Sequence, residues 1–163
     1  MALMLPSELA DLLGLLGYDW PASNEESLIE MGQAWMDLSG ELDGVIAEAN
    51  AAAGGVWDGN LGAEIDAFKG WWTGDDGPVS TLDNGATAAL IGGAGMIICG
   101  VIVIALKIMV IVQLVILAVQ IAIAVAEAAV TFGASLLQIP LFQQLARQVI
   151  SNLMQEAVFK LLG

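Results

Sequence analysis

The sequence predicts an all-α protein, with a helical hairpin closed by a Trp-x-Gly turn, one very long apolar helix and a C-terminal amphipathic helix. Apolar residues recur at spacings of three and four along the first half, which is typical of amphipathic helices. Clusters of glycine, proline, asparagine and aspartate separate the periodic segments and predict turns. The stretch from Thr87 to Ala126 has Lys107 as its only charge, no proline, and no glycine after Gly100. We therefore expect one helix there rather than several short strands.

The first two helices follow from their start signals and their apolar spacing. Pro6-Ser7-Glu8 predicts a short opening helix, which ends before a turn at Gly17–Pro21. A longer helix is expected at 24–53, and Glu25 and Glu26 in its first turn complement the helix dipole as ordinary solvated acids. The apolar residues of this helix form one stripe, which consists of Leu28, Met31, Trp35, Leu38, Leu42, Val45, Ile46 and Ala49.

Turn signals and periodicity set the remaining elements. The predicted boundaries are a break at 54–60, a helix at 61–72, a turn at 73–78, the long helix from about 80 to 133, and a last amphipathic helix at 141–161. The hairpin of the first half is therefore joined to two C-terminal helices.

Composition sets the broad class of the protein. Of its 163 residues, 58% are hydrophobic and 13% are charged, whereas soluble domains average about 25% charged. The length suits one domain, so we expect a single helical domain over 1–163, with an acidic front hairpin at 1–76 and an apolar body at 77–163. The net charge is −14 with four basic residues, which leaves too few cations to neutralise a nucleic-acid backbone.

The residue patterns of catalysis and metal binding are missing from the sequence. It contains no histidine, which excludes Ser-His and Cys-His catalysis and histidine-containing metal sites. Gly92-Gly93-Ala94-Gly95 lacks the lysine and hydroxyl residue that complete a phosphate-binding loop. We therefore expect no enzyme activity, no catalytic residue, no metal and no cofactor.

The long apolar helix poses the main functional question, because about 40 helical residues extend for roughly 60 Å. The helix can be covered by a membrane, by its own fold or by a partner. Residues 84–106 and 108–126 are uncharged and each long enough to cross a bilayer, but no turn signal near Lys107 separates two spans. A single packed helix fits the length better, with exposure to lipid as a conditional event.

Several motifs occur in a family-like order along the chain. Trp57-Asp58-Gly59 lies between two amphipathic helices. The others are Pro6…Leu12-Leu13…Gly17-Tyr18-Asp19-Trp20-Pro21, Trp35 in the following helix, and Phe132-Gly133-Ala134-Ser135…Ile139-Pro140. With these motifs, nearly the whole chain resembles the N-terminal WXG-like domain of actinobacterial type VII secreted polymorphic toxins, of the type that includes a channel-forming necrotising toxin.

The resemblance implies an all-helical module that carries cargo through a type VII secretion machine. It implies pairing with a small helical WXG-type partner, in a homo- or hetero-oligomer. It also implies that Trp57 lies in the inter-helix turn and is read by the machine or the partner, with Asp58 beside it and Gly59 allowing the tight turn. The family's export tag has an acid four residues after a tyrosine, whereas Ala22 follows Tyr18 at that distance, so a partner would supply the tag.

The expected route of export is leaderless, since the N-terminal residues lack the basic region of a signal peptide and soon include Glu8 and Asp11. This route agrees with the resemblance to type VII substrates. Association with a membrane remains open, because the long apolar helix could reach one.

Three functional hypotheses remain. The first is a non-enzymatic delivery and partner-binding module of a type VII secreted toxin. In the second, helix 87–126 enters a membrane as part of a channel or pore, with a polar row at every seventh residue (Gln113, Gln120 and Glu127) facing the lumen. The third is a self-assembling structural protein in which copies of the apolar helix pack together. Candidate partner or membrane-interface contacts are Trp20, Trp35, Trp71 and Trp72.

Overall fold

The computed structural model describes residues 3–163, in which helices predominate and no strand occurs. Its α-helices are α1 (Ser7–Leu15), α2 (Glu25–Asp58), α3 (Ala63–Trp72), α4 (Pro78–Glu127) and α5 (Ile139–Leu162), and a 3-10 helix, Ala134–Gln138, precedes α5. The predicted all-α fold, with one very long apolar helix followed by a C-terminal helix, is confirmed.

α2 continues past the position at which the sequence predicts its end. The helix was expected to stop at the Gly54-Gly55 pair, but it continues through both glycines, so this prediction was wrong. Each glycine weakens a helix by about 1 kcal/mol relative to alanine, yet two contacts hold the last turn. The ring of Trp57 packs on Phe68 with centroids 5.9 Å apart. Asn60 donates a side-chain N–H to the carbonyl oxygen of Val56 at 2.7 Å and so caps the helix end.

The long helix α4 begins and ends earlier than predicted. Pro78 is its first residue, a position at which the missing N–H of proline is not needed. After Glu127 the chain turns, and Thr131 Oγ1 donates to the carbonyl oxygen of Glu127 at 2.9 Å. Gly133 then adopts a left-handed φ of 85°, which glycine tolerates. The predicted end near Gly133 therefore falls in the turn after the helix.

Contacts divide the chain into two compact units. One comprises the chain up to Ser27 together with Cys99–Gly163, and the other comprises Leu28–Ile98. Helices α2 and α4 contribute residues to both units. The expected single domain, with a front and a body divided at residue 76, stays a prediction.

The core of the first unit is formed by α1, the second half of α4 and α5. Its buried side chains are Leu13, Leu16, Val110, Leu114, Leu117, Ala146 and Ile150. Those of α4 follow spacings of four and three and so lie on one face of the helix. Lys107 continues this buried stripe by one turn towards the N-terminus of α4, so a charge lies in line with the apolar core.

Within the second unit, α2 and α4 are in close backbone contact at Gly32 and Gly93. A Cβ atom built on Gly93 would lie 2.5 Å from the carbonyl oxygen of Gly32, and one built on Gly32 would lie 2.6 Å from the carbonyl oxygen of Gly93. Real side chains do not approach so closely, so this contact requires glycine on both helices. Gly92 and Gly95, by contrast, face open space.

Most of α4 is uncovered. It is long and apolar enough to cross a membrane, and only 22% of an 18-residue apolar window within it is buried. Its half-exposed apolar side chains include Val101, Ile108, Val112, Val115, Val119 and Ile123. As expected, α4 packs within its own fold, but only along one stripe of the helix. The residues of the opposite face are not covered by any other part of residues 3–163.

Candidate functional site

The outward face of α2 carries a row of apolar side chains that the fold leaves partly exposed. The row consists of Met31, Trp35, Leu38, Leu42, Val45, Ala49, Ala52 and Val56, and we call it the α2 seam. Its spacing of three and four keeps all eight residues on one side of the helix. Trp35 is 42% exposed, and Met31, Leu38 and Val45 are similarly exposed. These four members of the predicted apolar stripe are therefore partly exposed to solvent.

The reason lies in the small residues of α2. Gly32, Ser39 and Ala53 are buried, and the close contact between Gly32 and Gly93 fixes the side of the helix that packs. Because backbones approach closely through small residues, the larger apolar side chains beside them are turned towards solvent.

Exposed carboxylates flank the α2 seam on the side away from these small residues. They are Glu30, Asp37, Glu41 and Glu48, which we call the acidic row. The amide of Gln33 donates to Asp37 at 3.3 Å. No cation of residues 3–163 lies within ion-pair distance of the row, because the ion pairs in that range join Lys107 to Glu25 and Lys160 to Glu156. The row is therefore a band of negative charge that no cation of the described residues pairs with.

Aromatic side chains cluster where α2 meets α3. The ring centroid of Phe68 lies 5.9 Å from that of Trp57, 6.1 Å from that of Trp71 and 5.8 Å from that of Trp72. Trp72 Nε1 donates to Asn50 Oδ1 at 2.8 Å, which ties α3 to α2. We call these four rings the aromatic corner. Trp71 is its most accessible member, at 57% exposed.

The Trp-x-Gly motif closes α2 instead of lying in the turn. Trp57 and Asp58 are the last residues of the helix, so the expected turn position of Trp57 was wrong. Trp57 is half-buried, and the Nζ atom of Lys69 lies 5.6 Å from its ring centroid, within cation–π range. The left-handed backbone of this connection occurs at Gly62, with φ 146°, and not at Gly59. Recognition through Trp57, Asp58 and Gly59 stays a prediction.

Lys107, the only charge of the apolar stretch, is buried and paired. Its side chain is 1% exposed, and its Nζ atom lies 2.5 Å from Glu25 Oε1. Nζ also donates to the carbonyl oxygen of Ser23 at 3.1 Å and lies 5.3 Å from the ring centroid of Trp20. Trp20 Nε1 in turn donates to the carbonyl oxygen of Leu3 at 3.1 Å. Trp20 thus contacts Lys107 within its own unit, and this cluster ties the N-terminal segment to α4.

Glu25 is 3% exposed, so the expectation of an ordinary solvated acid was wrong. Burial by itself raises the pKa of this carboxyl, because it penalises the charged form. Hydrogen bonds from Lys107, from Ser23 and from the backbone N–H of Glu25 outweigh burial and lower the pKa from 4.5 to about 2. The Glu25 carboxyl is therefore charged at neutral pH, and it pairs with Lys107 within the fold.

The polar row of α4 borders its buried stripe. Gln113 immediately precedes the buried Leu114 and is half-buried, as is Gln120, whereas Glu127 at the helix end is exposed. Together with Lys107, these are the charged and amide side chains of the second half of α4. All of them lie in or beside the buried stripe, so the outward face of this half is apolar.

A cleft of about 120 Å³ lies between α4 and α5. Its walls are mainly apolar, and the exposed ion pair of Glu156 and Lys160, at 2.6 Å, contributes to its lining. Among residues 3–163, no three His, Cys, Asp or Glu side chains converge as metal ligands do.

Comparison with known families assigns the chain. A family model described as the WXG100-like domain matches residues 5–150, which is most of the sequence. The chain belongs to the WXG100-like domain family. WXG100-like domains are non-enzymatic helical proteins related to type VII secretion, and they typically work with partner proteins and secretion machinery. None of the curated proteins matches this WXG100-like domain, and neither does any solved structure.

The pair of Lys107 and Glu25 in this WXG100-like domain was missed by sequence reasoning. The signal was present, because Lys107 shares the spacing of Val110, Leu114 and Leu117 and must therefore face the core. A lysine that faces a core needs a carboxylate partner, since an unpaired buried charge is strongly unfavourable. The identity of that partner was not readable, because 18 acidic residues were available.

Proposed function

We propose that this WXG100-like domain is a non-enzymatic delivery and partner-binding module of an actinobacterial toxin exported by type VII secretion. Family membership supports the link to secretion. The α2 seam is the observation that supports partner binding. It is a helix face with the spacing used in helix–helix contacts, and the fold leaves it open.

The apolar composition of the α2 seam favours its burial against a protein partner over its exposure to solvent. Fully burying a Leu, Val or Met side chain stabilises a complex by roughly 1.5–3 kcal/mol. Four large side chains of the α2 seam are about half exposed, so covering them releases apolar surface from water at several points along one line. Trp35 lies within this line and supplies the type of anchor that dominates protein interfaces.

The aromatic corner would extend this contact to the end of α2. Trp57 packs on Phe68 and is half-buried, while Trp71 beside it is mostly exposed. Partner or machinery binding at this end would cover Trp71 and the exposed edge of Trp57. The Trp-x-Gly motif would then act through the helix end of α2 and not through a flexible turn.

Export in the native host tests this function. Trp35→Ala and Trp57→Ala should each reduce the secreted fraction of the full-length protein and its co-purification with the partner, at unchanged intracellular level. Leu61→Ala is the matched control, because Leu61 is fully exposed between α2 and α3, outside the seam and the aromatic corner. Unchanged export and capture in both tryptophan variants would overturn the proposal.

A second candidate function, entry of α4 into a membrane as part of a channel or pore, is favoured by the reversed polarity of this helix. Lys107, Gln113 and Gln120 lie in or beside the buried stripe, and the apolar side chains face outward. In membrane helices, ionisable groups face the bundle interior and pair with one another, as Lys107 does with Glu25. The outward face would contact lipid, and the polar row would border a lumen.

Fractionation after a carbonate wash separates the two functions. If α4 enters the bilayer, Val112→Lys on its outward face should lower the membrane-bound fraction severalfold, since a lysine near the middle of a span costs about 3 kcal/mol. Gln120→Lys, on the polar row, should leave that fraction nearly unchanged. A wild-type protein found wholly in the soluble fraction would overturn the membrane function. A large particle of defined mass, seen by light scattering in the absence of lipid, would favour self-assembly through α4.

A further inference from the structure

The two borders of the α2 seam differ in their density of charge. On one side lie the buried small residues of α2, among them Gly32 and Ser39, where the helix approaches α4. On the other side lies the acidic row. A helix that docks along the seam would therefore place one of its flanks against the four carboxylates of the acidic row and the other against the side of the small residues, where Asp43 is an exposed carboxylate of α2.

The acidic row is accessible and has no counter-charge from the described part of the chain. Asp37 accepts a hydrogen bond from neutral Gln33, and no lysine or arginine of residues 3–163 pairs with the row. A docked helix would bring these carboxylates into a partly dehydrated setting, which strengthens both attraction to cations and repulsion from anions. Flanking charges of this kind select partners in helical interfaces.

We propose that the α2 seam takes an amphipathic helix whose apolar stripe covers Trp35 and whose flank facing the acidic row carries lysine or arginine. This inference rests on the proposed partner-binding function and adds the chemistry of the partner. A second copy of the chain is disfavoured, because 16 of the 18 acidic residues lie within residues 1–85, where Lys69 is the only basic residue. An anionic membrane surface is disfavoured for the same reason.

Designed peptides test the charge preference directly on the full chain. Two helical peptides of about 28 residues, long enough to span the seam at 1.5 Å per residue, share one apolar stripe and differ in having lysine or glutamate on one flank. Binding is followed by fluorescence anisotropy at low and high salt. The lysine peptide should bind at least roughly tenfold more tightly than the glutamate peptide, and salt should reduce that ratio.

Matched variants separate docking at the seam from general attraction to an acidic protein. Glu41→Lys/Glu48→Lys should reverse the preference between the peptides, whereas Asp75→Lys/Asp76→Lys makes the same change of net charge in the α3–α4 turn and should preserve it. Trp35→Ala should weaken the lysine peptide severalfold, and Phe132→Ala, at an exposed aromatic residue in the turn after α4, should not.

The outcomes distinguish this inference from the proposed function. If both peptides bind with equal affinity and Trp35→Ala weakens both, the basic-flank inference is overturned. Helix binding at the seam would still stand. An equal loss of preference in both lysine double variants would also overturn it. A third outcome is that neither peptide binds and that neutral phosphatidylcholine vesicles bind instead, in a way that Trp35→Ala abolishes. This result would overturn both the basic-flank inference and partner binding at the seam.

Discussion

The Nζ atom of Lys107 lies 2.5 Å from the Oε1 atom of Glu25, and both side chains are almost fully buried. This pair joins the first turn of α2 to the middle of α4, two segments that are far apart in the sequence. The only charge within the long apolar stretch is therefore neutralised inside the fold. A partner or a membrane that covers the outward face of α4 therefore does not have to contact this charge.

Breaking the buried pair should be strongly destabilising. Lys107→Met leaves the Glu25 carboxylate buried without its cation, so we expect the free energy of unfolding to fall by about 3–5 kcal/mol. Urea unfolding followed by circular dichroism measures this change. Lys160→Met breaks the exposed pair with Glu156 and should cost under about 0.5 kcal/mol.

The double variant Lys107→Met/Glu25→Leu removes both charges and tests the physical reason. Two apolar side chains of similar size should recover most of the loss, because the ion pair itself offsets a large desolvation penalty. A double variant as unstable as Lys107→Met alone would show that the site needs specific polar contacts, such as that to the Ser23 carbonyl oxygen.

Acid should weaken the fold through Glu25. Its pKa is lowered to about 2 in the folded protein, against 4.5 as the ordinary value. A lowered pKa contributes stability that is present above about pH 4.5 and is lost as the pH falls towards 2. At about 1.4 kcal/mol per unit, the loss amounts to roughly 3 kcal/mol. Urea midpoints between pH 6 and pH 2 measure it.

Two variants assign this acid sensitivity to one carboxyl. Glu25→Gln should flatten the slope of unfolding free energy against pH between 4.5 and 2, whatever its stability at pH 7. Glu156→Gln, at an exposed carboxyl, should retain the wild-type slope. Equal slopes in wild type and Glu25→Gln would show that other acids govern the transition.

The contact between Gly32 and Gly93 predicts opposite effects for neighbouring glycines of α4. Gly93→Ala places a Cβ against the carbonyl oxygen of Gly32 and should destabilise the protein by about 1–3 kcal/mol. Gly92→Ala meets open space on the exposed side of the helix and should stabilise by up to about 1 kcal/mol. Thermal unfolding of the two variants is the measurement, and a similar shift in both would contradict the close packing of α2 and α4.

The sequence predicted the helices better than it predicted their faces and ends. The existence and order of α2, α3, α4 and α5 follow from apolar spacing and turn residues, which are local signals. The orientation of α2 does not, because Gly32 pairs with Gly93 far along the chain and turns Trp35 outward. The end of α2 was misplaced for a similar reason, since Phe68 and Asn60 hold a turn that the glycine pair alone would not predict.

The two glycines between α2 and α3 should differ in their effect on stability. Gly62 has a φ of 146°, a conformation that side chains rarely adopt, so Gly62→Ala should lower the free energy of unfolding by about 1 kcal/mol or more. Gly59 has no such backbone, and a Cβ added there would meet no other atom within 4 Å, so Gly59→Ala should leave stability nearly unchanged. Urea unfolding compares the two.

The same pair of variants separates folding from recognition at the Trp-x-Gly motif. If the secretion machine or the partner reads the helix end at Trp57, Gly59→Ala adds a methyl group to an exposed recognition surface and should reduce export at wild-type stability. Export that follows stability instead, reduced in Gly62→Ala and normal in Gly59→Ala, would show that the second glycine of the connection maintains the fold and that Gly59 is not read. Secretion and unfolding measured on the same variants decide between these roles.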